Sequence, residues 1–450
     1  MQTEEEKQEV AETEEAGGGA PAVYIDQLGD HEGKRVKVRG WLMHHRDQKK
    51  LQFIVLRDGT GSVQAVAFKG DFTPEKWDLF AGLTQETSMT VTGTVRKDDR
   101  APGGYEISAS DVDVFQLAAA DFPIQPKEHT VGYLMEHRHL WLRSNRQRAV
   151  LRIRAEVVKA ARDYLDDNGF VLVDTPILTP AACEGTSTLF ETDYFGTPAY
   201  LAQSGQLYNE ADIAAFGRVY SFGPTFRAEK SKTRRHLMEF WMIEPEAAWM
   251  ELPGLLELEE SFVSYIVQTV LEKRGVELEV LERDLSKLQN IKPPFPRITY
   301  DEAVKVLQES GLPVEWGDDF GGDEETVLAS QYDRPLFITN YPTQIKAFYM
   351  QPDPNRPETV LAADLIAPEG YGEICGGSQR IHDLDLMAKR IEEHNLPLEA
   401  FKWYLDLRKY GSVPHSGFGM GIERLVAWIT GVPHLRETIP FPRMVDKIYP

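Results

Sequence analysis

A cluster of cations stands out in a chain that is otherwise acidic. The stretch FRAEKSKTRRHLMEF, residues 226–240, holds five Lys or Arg side chains, whereas the formal net charge of the 450-residue chain is −22. Strand-like runs on both sides predict two strands joined by a charged loop. A guanidinium on a rigid strand, here Arg227, is suited to hold a phosphate through paired hydrogen bonds. Phe240 opposite it could stack on a base; a solvated hairpin tip is the alternative.

A second candidate is SGFGMGIERL, residues 416–425, in which three glycines alternate with larger residues. Glycine permits close approach of the backbone, and a helix predicted from about Met420 places Arg424 one turn from its start. The stretch lacks the Gly-Lys-Ser/Thr ending of a P-loop. It is typical either of a phosphate contact or of close packing.

Two further clusters carry carboxylates and amides. Asp364 and Glu373 lie on either side of a turn-rich stretch in ADLIAPEGYGEICGGSQR. A hairpin would bring both together, and hard oxygen ligands near phosphates usually hold Mg²⁺; an acidic loop is the alternative. Glu184 in ACEGTSTLF and Gln206 in LAQSGQLYNE are of the type that binds an ammonium group and a carbonyl. Together the four clusters predict a nucleoside-triphosphate site with a small zwitterion beside it.

At least two folded regions have to position these side chains. Residues 22–117 contain about five short alternating runs closed by turns, which predicts a small β-barrel such as an OB-fold, or else a β-sandwich. Residues 1–21 are predicted to be a disordered acidic tail. Residues 118–130 contain two prolines and are predicted to be a linker.

Residues 131–450 combine helices with strands that do not alternate as βαβ units. This order predicts an α+β domain with a mainly antiparallel sheet. Its clearest helix ends near Gly169 and has one apolar face. The residues of that face are Val150, Ile153, Val157, Ala161 and Leu165.

Composition narrows the cellular setting. We find no run of about 18 apolar residues, so we expect no membrane span. Cys183 and Cys375 are the only cysteines and lie far apart in the sequence, which favours a reducing, cytoplasmic setting over a disulfide framework or zinc site. The acidic balance argues against a general nucleic-acid binder but permits a local basic groove.

The order of the clusters resembles a known family. The helix and strand ending at Pro176, the FRAE…RRHLMEF hairpin and the GFGMGIERL helix resemble motifs 1, 2 and 3 of class II aminoacyl-tRNA synthetases. The region before them resembles the OB-fold anticodon-binding domain of the aspartyl, asparaginyl and lysyl subgroup. The resemblance covers residues 22–450. It implies an antiparallel sheet of six or seven strands flanked by helices, and a homodimer that forms through motif 1.

The resemblance implies roles for the nucleotide-binding residues. Arg227 would hold the α-phosphate of ATP, and Arg424 the γ-phosphate. Phe240 would stack under adenine, with Arg424 over the other face. Glu229 would help to position the nucleotide or the tRNA end, and His236 would touch the phosphates. The two arginines would be the catalytic residues, because this chemistry depends on positioning and charge stabilisation and not on a protein nucleophile.

The resemblance also implies roles for the metal and amino-acid ligands. Asp364 and Glu373 would hold Mg²⁺ beside the phosphates of ATP. Glu184 and Gln206 would bind the amino group of the amino acid. Arg380 would bind the end of its side chain.

In the first domain, the resemblance implies an anticodon reader. Phe53 would stack on the central uridine of the anticodon and Gln64 would hydrogen-bond it, with Arg46 nearby. Stacking in a basic groove is the expected way to read splayed single-stranded bases. A barrel-core aromatic is the alternative for Phe53.

Two positions predict which amino acid is the substrate. Aspartyl members of the subgroup carry QSPQLYKQ, whereas this chain has QSGQLYNE, so Asn209 stands where their lysine would be and Glu244 where they have Asp. Arg380 can donate to an amide oxygen and Glu244 can accept from an amide NH₂, and a less cationic pocket disfavours aspartate. We therefore predict asparagine, ATP and tRNA(Asn) as substrates; in the alternative, Asn209 is only a polar neighbour of the pocket.

Three alternatives compete with this prediction. One is an aspartyl-tRNA synthetase, including one that charges both tRNAs. Another is an asparagine synthetase derived from the same fold, but such proteins lack the anticodon domain. The third is a non-catalytic tRNA-binding paralogue, which would have lost phosphate arginines or metal carboxylates. Those residues are all present here.

Overall fold

The structure is a computed structural model that describes residues 19–180 and 189–450. The predictions for Glu184 and for most of the acidic tail concern positions outside the described residues. The chain divides into two compact units on either side of the bond between His129 and Thr130. Within the described ranges, no helix is both long enough and apolar enough to cross a membrane.

The described residues of the N-terminal unit form a closed barrel of five strands. In chain order its elements are β1 (Arg35–Gln48), β2 (Leu51–Arg57), β3 (Ser62–Phe68), α1 (Pro74–Leu79), β4 (Ser88–Lys97) and β5 (Tyr105–Gln116). The strands follow the order β1-β2-β3-β5-β4, and only β3 and β5 pair in parallel. Side chains alternate across the wall, so Val36, Val38, Ile54 and Leu56 are fully buried inside. The closed barrel confirms the predicted barrel and excludes the sandwich.

The C-terminal unit is built on one large sheet. In chain order the strands of this unit are β6 (Val171–Leu172), β7 (Leu178–Thr179), β8 (Glu191–Tyr194), β9 (Thr197–Leu201), β10 (Arg218–Phe226), β11 (Glu239–Ala248), β12 (Arg297–Thr299), β13 (Leu336–Thr339), β14 (Pro352–Asp353), β15 (Arg356–Val360), β16 (Ala362–Ala367), β17 (Gly372–Gln379) and β18 (His415–Gly421). Eight of the described strands form the large sheet in the order β12-β13-β16-β17-β18-β11-β10-β6.

The large sheet differs in two respects from the expected six or seven antiparallel strands, because it has eight strands and is not antiparallel throughout. Its central pairs are antiparallel, but the edge pairs β12–β13 and β10–β6 are parallel. Both additional edge strands are only two or three residues long. Short edge strands leave little exposed backbone for pairing with other chains. Strand β6 lies within the strand that the sequence predicts to end at Pro176, but it is much shorter than that prediction.

Helices pack against the large sheet. In chain order they are α2 (Val131–Glu136), α3 (Arg138–Trp141), α4 (Asn145–Asp167), α5 (Gln206–Phe216), α6 (Leu252–Lys273), α7 (Gly275–Val280), α8 (Ser286–Gln289), α9 (Tyr300–Glu309), α10 (Gly322–Ala329), α11 (Leu384–Glu393), α12 (Lys402–Lys409) and α13 (Ile422–Thr430). The five apolar positions predicted for one face of α4 are all fully buried, which confirms that helix. Gly169 follows it with φ +78°, a conformation that glycine adopts without strain.

The glycine-rich segment before α13 differs from the prediction. Strand β18 occupies most of it, and α13 begins only at Ile422. The predicted helix start at about Met420 is therefore wrong, and Arg424 lies in the first turn of α13. A Cβ on Gly417 would lie 2.0 Å from Glu246 Oε2. Glycine thus lets β18 pair with β11 beside that carboxylate.

Candidate active site

The hairpin of β10 and β11 carries the predicted phosphate-binding arginine. Thr225 pairs with Phe240 in the register of the strands, and the N–H of Arg227 donates to the carbonyl of Met238 at 3.0 Å. The guanidinium Cζ lies 5.4 Å from the centroid of the Phe240 ring. Its Nε is buried without a hydrogen-bond partner among the described residues. The hairpin therefore presents a charged donor that needs an acceptor, next to a flat aromatic ring.

A cavity of about 180 Å³ is lined by Arg227, Phe240, Glu373 and Arg424, among others. Arg424 reaches it from the first turn of α13, and its Nη1 donates to the carbonyl of Glu373 at 2.6 Å. Two guanidinium groups therefore meet at one small cavity from different elements. Such an arrangement can bind a polyphosphate that carries a planar base.

The loop between β10 and β11 adds Glu229 and His236 to the same lining. His236 Nε2 lies 3.6 Å from Glu229 Oε2, and its Nδ1 contacts the hydroxyls of Ser231 and Thr233. Burial, together with the charge of Arg424, lowers the pKa of His236. The imidazole is therefore neutral at pH 7 and can form hydrogen bonds without adding charge.

A second cavity, of about 460 Å³, shares Arg227 and Glu373 with the first. Its lining brings together most of the other predicted side chains of the catalytic region. They are Gln206, Glu244, Asp364 and Arg380. Residues from separate sequence clusters thus converge on two joined cavities, one with an aromatic ring and the other with paired donors and acceptors.

Asp364 and Glu373 lie on the hairpin of β16 and β17 that the turn between them predicts. A Cβ on Gly376 would be 2.9 Å from Glu373 Oε1 and 3.5 Å from Asp364 Oδ1, so both oxygens point at one space that glycine leaves open. Burial, opposed by Lys346 and reinforced by the charge of Glu373, raises the pKa of Asp364 to about 6. Convergent carboxylates beside a cavity fit a hard divalent cation such as Mg²⁺.

Sequence reasoning missed Lys346, which lines the larger cavity. Its Nζ lies 2.5 Å from Asp364 Oδ2 and 3.8 Å from the centroid of the Tyr341 ring. The surrounding sequence, TQIKAFYM, has neither glycines nor clustered charges, so no signal marked it. The ammonium group adds a positive charge beside the two carboxylates.

Glu244 reaches the larger cavity from β11 and is held through both oxygens. Oε1 accepts from the hydroxyl of Ser204 at 2.5 Å, and Oε2 from the N–H of Gly205 at 2.9 Å. Nearby, Gln206 Nε2 donates to Glu210 Oε1 at 3.1 Å. Since a carboxylate only accepts, this bond fixes the orientation of the amide and leaves the oxygen of Gln206 to accept from an ammonium group.

Asn209 lies in a different place from the one predicted. It is 1% exposed and is absent from the described lining of both cavities. Its Nδ2 donates to the carbonyl of Glu244 at 2.8 Å and to the hydroxyl of Ser221 at 3.1 Å. Asn209 therefore supports the strand segment that carries Glu244, while its Oδ1 is buried without a hydrogen-bond partner among the described residues.

Arg380 follows β17 and is 2% exposed. Glu246 accepts from its Nε at 3.1 Å and its Nη2 at 2.9 Å, and Ser378 Oγ accepts from its Nη1 at 2.8 Å. Burial alone would lower the pKa of Arg380, but the carboxylate of Glu246 raises it above its ordinary value. The guanidinium is therefore charged, fixed in orientation and part of the cavity wall.

In the N-terminal unit, the predicted anticodon residues share the outer face of the barrel. Arg46 pairs with Phe53 across β1 and β2, and its Cζ lies 4.6 Å from the centroid of the ring. Gln64 lies on β3, whose Val66 pairs with Phe53. Phe53 is half-buried on the outside, whereas the next residue, Ile54, points into the core. Phe53 is therefore not a barrel-core aromatic.

Two family models match this chain. The model for tRNA synthetases class II (D, K and N) matches residues 131–445, and that for the OB-fold nucleic acid binding domain matches residues 36–115. The chain belongs to the class II tRNA synthetases. The residues matched by the class II model include both cavities of this synthetase. The residues matched by the OB-fold model include the outer face of the barrel with Phe53.

Curated relatives of this class II synthetase are similar over almost their whole length. The asparagine–tRNA ligase of Koribacter versatilis is 57% identical over 439 residues, which cover 96% of this chain and 99% of the relative. That of Desulforamulus reducens is 58% identical over 426 residues, which cover 95% and 99%. Almost every residue of each relative therefore has a counterpart in this synthetase.

Solved structures of asparaginyl-tRNA synthetases have the same fold as this class II synthetase. The one from Pyrococcus horikoshii, complexed with asparaginyl-adenylate, has a TM-score of 0.92 and 48% identity, and the match covers 95% of this chain and 99% of that chain. The one from Entamoeba histolytica, also in complex with asparaginyl-adenylate, has a TM-score of 0.85 and 33% identity, with 93% and 97% covered. The barrel and the large sheet are therefore those of the family.

Proposed function

We propose that the protein attaches asparagine to tRNA(Asn) through an asparaginyl-adenylate intermediate. The observation that carries the proposal is the larger cavity, where the Arg380 guanidinium and the Glu244 carboxylate line one space. A donor and an acceptor that line the same space are complementary to an amide, which has an oxygen that accepts and an NH₂ that donates. The names of the similar relatives, asparagine–tRNA ligases, support the same substrate.

In the first step, the carboxylate of asparagine attacks the α-phosphorus of ATP in line, and pyrophosphate leaves. Arg227, which lines both cavities, would hold the α-phosphate, and Arg424 the γ-phosphate, while adenine stacks on Phe240. Asp364 and Glu373 would hold Mg²⁺, which when bound supplies positive charge to the phosphates. The rate enhancement comes from positioning and charge stabilisation.

Asparagine would lie in the larger cavity with its two ends held differently. The oxygen of Gln206, together with the carboxylate of Glu184, would accept from the ammonium group. Arg380 would donate to the side-chain oxygen, and Glu244 would accept from the side-chain NH₂. The asparagine carboxylate is then directed towards Arg227 and the α-phosphate, in the geometry that the attack requires.

In the second step, a ribose hydroxyl of the terminal adenosine of tRNA(Asn) takes the acyl group. The basic loop of residues 230–235 would meet the acceptor end, because its cations can pair with phosphates. The barrel would read the anticodon, with Phe53 stacked on the central uridine, Gln64 hydrogen-bonded to it and Arg46 nearby. Aromatic stacking is a common means of binding unpaired bases.

We also propose the organisation of the chain. Residues 22–117 would be the anticodon-binding domain, 118–130 a linker and 131–450 the catalytic domain, after an acidic tail of residues 1–21. The family-model matches fall within the two proposed domains and support this division. We expect the protein to work in the cytoplasm, where tRNA charging takes place.

A homodimer through the motif 1 region is part of the proposal. The short strands β6 and β7 and the residue just before β7 expose apolar side chains, with Val171 at 42%, Ile177 at 46% and Leu178 at 42%. Clustered exposed apolar side chains are typical of surfaces that another protein covers. A second copy of this chain, placed on these strands, would cover them.

Aminoacylation of purified tRNA tests the proposed function. The wild-type protein receives tRNA(Asn) or tRNA(Asp), each with labelled asparagine or labelled aspartate. We expect asparagine on tRNA(Asn) and no other product. Aspartate on tRNA(Asp), or on both tRNAs, would instead indicate an aspartyl enzyme. No charging by folded protein would favour a non-catalytic paralogue.

A further inference from the structure

A buried ion pair holds the arginine at the side-chain end of the larger cavity. Glu246 lies on β11 two residues after Glu244, so both side chains point to the same face of the strand. Glu246 is 1% exposed and Arg380 is 2% exposed. The carboxylate accepts from two N–H groups of the guanidinium, at 3.1 and 2.9 Å. This bidentate geometry is among the strongest forms of ion pair.

The orientation of Arg380 is set before any ligand binds. Of the five N–H groups of a guanidinium, three donate to Glu246 and Ser378 within the described structure, which leaves two for a ligand. The ring of Tyr349 covers one face, with its centroid 5.3 Å from Cζ. The plane of the group and the direction of its remaining donors are therefore fixed.

A second buried carboxylate lies close by, but it is already engaged. Glu210, Glu246 and His415 have polar atoms within 4.8 Å of one another. The oxygens of Glu210, however, contact Arg408 and His415, the latter at 3.0 Å. Among the described contacts, Glu246 is therefore the carboxylate that pairs directly with Arg380, whereas Glu210 acts on it only through its charge, which adds to the rise in the pKa of Arg380.

We propose that Glu246 determines amino-acid specificity by compensating the charge of Arg380. The arginine then offers hydrogen bonds to the side chain of the amino acid but only weak attraction for a carboxylate. Glu246 acts through Arg380 and is a positioning residue. The inference rests on the proposed function, in which asparagine is the substrate.

The electrostatic argument compares two side chains of nearly the same shape. An amide oxygen needs only the two remaining donors of Arg380, whereas a carboxylate also needs an uncompensated positive charge to offset its transfer out of water. The carboxylate of Glu246 compensates that positive charge, and Glu244, on the same face of β11, adds a negative charge that repels a carboxylate. An uncharged amide is much less sensitive to either charge. The pocket can therefore discriminate by charge where it cannot discriminate by size.

The decisive variant is Glu246→Gln, which keeps the shape of the side chain and removes its charge. We would measure kcat/KM in ATP–pyrophosphate exchange with asparagine and with aspartate, and check folding by thermal unfolding. We expect the asparagine-to-aspartate ratio to fall by at least about tenfold, the effect of 1.4 kcal/mol, with a rise in kcat/KM for aspartate. A purely structural role would lower both values equally, and a folded variant with the wild-type ratio would overturn the proposal.

A second variant, Glu246→Asp, separates the effect of the charge from that of the geometry. It still tests the role of Glu246 if Glu246→Gln does not fold. The shorter side chain keeps its negative charge but cannot reach both N–H groups of Arg380. We expect a higher KM for asparagine, little change in kcat and continued rejection of aspartate. An unchanged KM for asparagine, or acceptance of aspartate by this variant, would contradict the inference.

Glu86→Gln is the matched control. Glu86 is also buried and holds Arg57 through both oxygens, at 2.6 and 2.7 Å, but it lies in the N-terminal barrel. Loss of the Glu86 charge should leave the asparagine-to-aspartate ratio of kcat/KM unchanged, because ATP–pyrophosphate exchange requires no tRNA. A shift in this control as large as that in Glu246→Gln would show a general effect of removing buried charge, and the proposal would fail.

The wild-type protein in the same assay distinguishes the inference from the function on which it rests. Exchange with asparagine, together with an unchanged ratio in Glu246→Gln, would overturn only the role of Glu246. No exchange with asparagine by the wild-type protein would overturn the proposed function itself. We expect exchange with asparagine in the wild-type protein and the altered ratio in the variant.

Discussion

Arg227 is the residue whose surroundings most directly require a ligand. Its backbone is held by Met238 and its ring neighbour is Phe240, but its Nε has no hydrogen-bond partner among the described residues. Beside it, Asp364 and Glu373 each direct one oxygen at the open space over Gly376, although Asp364 also contacts Lys346. A buried polar atom without a partner is costly in free energy. We therefore expect a bound substrate to supply the acceptor for Arg227.

Arg227→Ala tests this requirement. Since a charge-assisted hydrogen bond is worth about 1.5–3 kcal/mol, we expect ATP–pyrophosphate exchange with asparagine to slow by at least about tenfold. Arg218→Ala is the control, because Arg218 starts the same strand but donates to the carbonyl of Asn168; its rate should stay near that of the wild type. Normal exchange by folded Arg227→Ala would remove Arg227 from the mechanism.

Glu259 on α6 gives the folded state a pH dependence. Burial, opposed by the thiol of Cys375, raises the pKa of Glu259 from 4.5 to about 8. The folded protein therefore holds a proton that the unfolded chain releases in this interval. Because the folded state binds more protons, the free energy of unfolding falls as the pH rises from 4.5 to about 8, by at most about 1.4 kcal/mol per pH unit.

Glu259→Gln imitates the protonated side chain and should remove this dependence. Urea unfolding of the variant and the wild type is compared at pH 5 and pH 8. We expect the variant to gain stability over the wild type between the two values, because only the wild type has to keep a proton at pH 8. A stability difference that is the same at both pH values would contradict the assignment.

At the scale of elements, the close pairing of β11 and β18 positions the site. Strand β11 carries Glu244 and Glu246. Strand β18, which pairs with it, leads directly into the first turn of α13, where Arg424 lies. A Cβ on Gly417 would lie 2.0 Å from Glu246 Oε2 and 2.4 Å from the carbonyl oxygen of Pro245. The backbone oxygen cannot move away as a side chain could. Glycine is therefore required for the register.

Gly417→Ala should accordingly be destabilising. Overpacking of this kind typically costs about 1–3 kcal/mol, which urea unfolding would measure. Gly223→Ala on β10 is the matched control, since a Cβ there would meet no atom within 4 Å, and its stability should stay close to that of the wild type. Equal stability of the two variants would show that β18 can shift to accommodate the extra methyl group.

The elements also show what the sequence could predict. Helix α4 was predictable because its apolar residues recur with helical spacing, and the hairpin of β16 and β17 because turn residues separate its strands. The glycine-rich strand β18 was wrongly assigned in part, because glycines have no hydrophobic periodicity and the pairing partners are distant in sequence. The placement of Asn209 and the contact of Lys346 with Asp364 depend on side-chain directions, which spacing alone does not reveal.

At the scale of the whole molecule, each unit has its own hydrophobic core. One is enclosed by the barrel, and the other lies between the large sheet and its helices. The predicted anticodon residues belong to the first unit and both cavities belong to the second. We therefore expect adenylate formation and tRNA selection to be separable by mutation.

Phe53→Ala tests this separation. Stacking on a base is worth about 1–3 kcal/mol, so we expect the KM for tRNA(Asn) in aminoacylation to rise by about tenfold or more. ATP–pyrophosphate exchange with asparagine should be unchanged, and it serves as the internal control. A loss of exchange, or unchanged aminoacylation, would contradict the role of the outer barrel face.

ATP–pyrophosphate exchange by the wild-type protein, with asparagine and aspartate compared side by side, tests the central claim most directly. In the proposed mechanism, this exchange requires the arginines, the carboxylates and the amino-acid pocket, but no tRNA. We expect exchange with asparagine and none with aspartate. Exchange with aspartate alone would keep the fold and the chemistry but contradict the proposed pocket of Arg380 and Glu244.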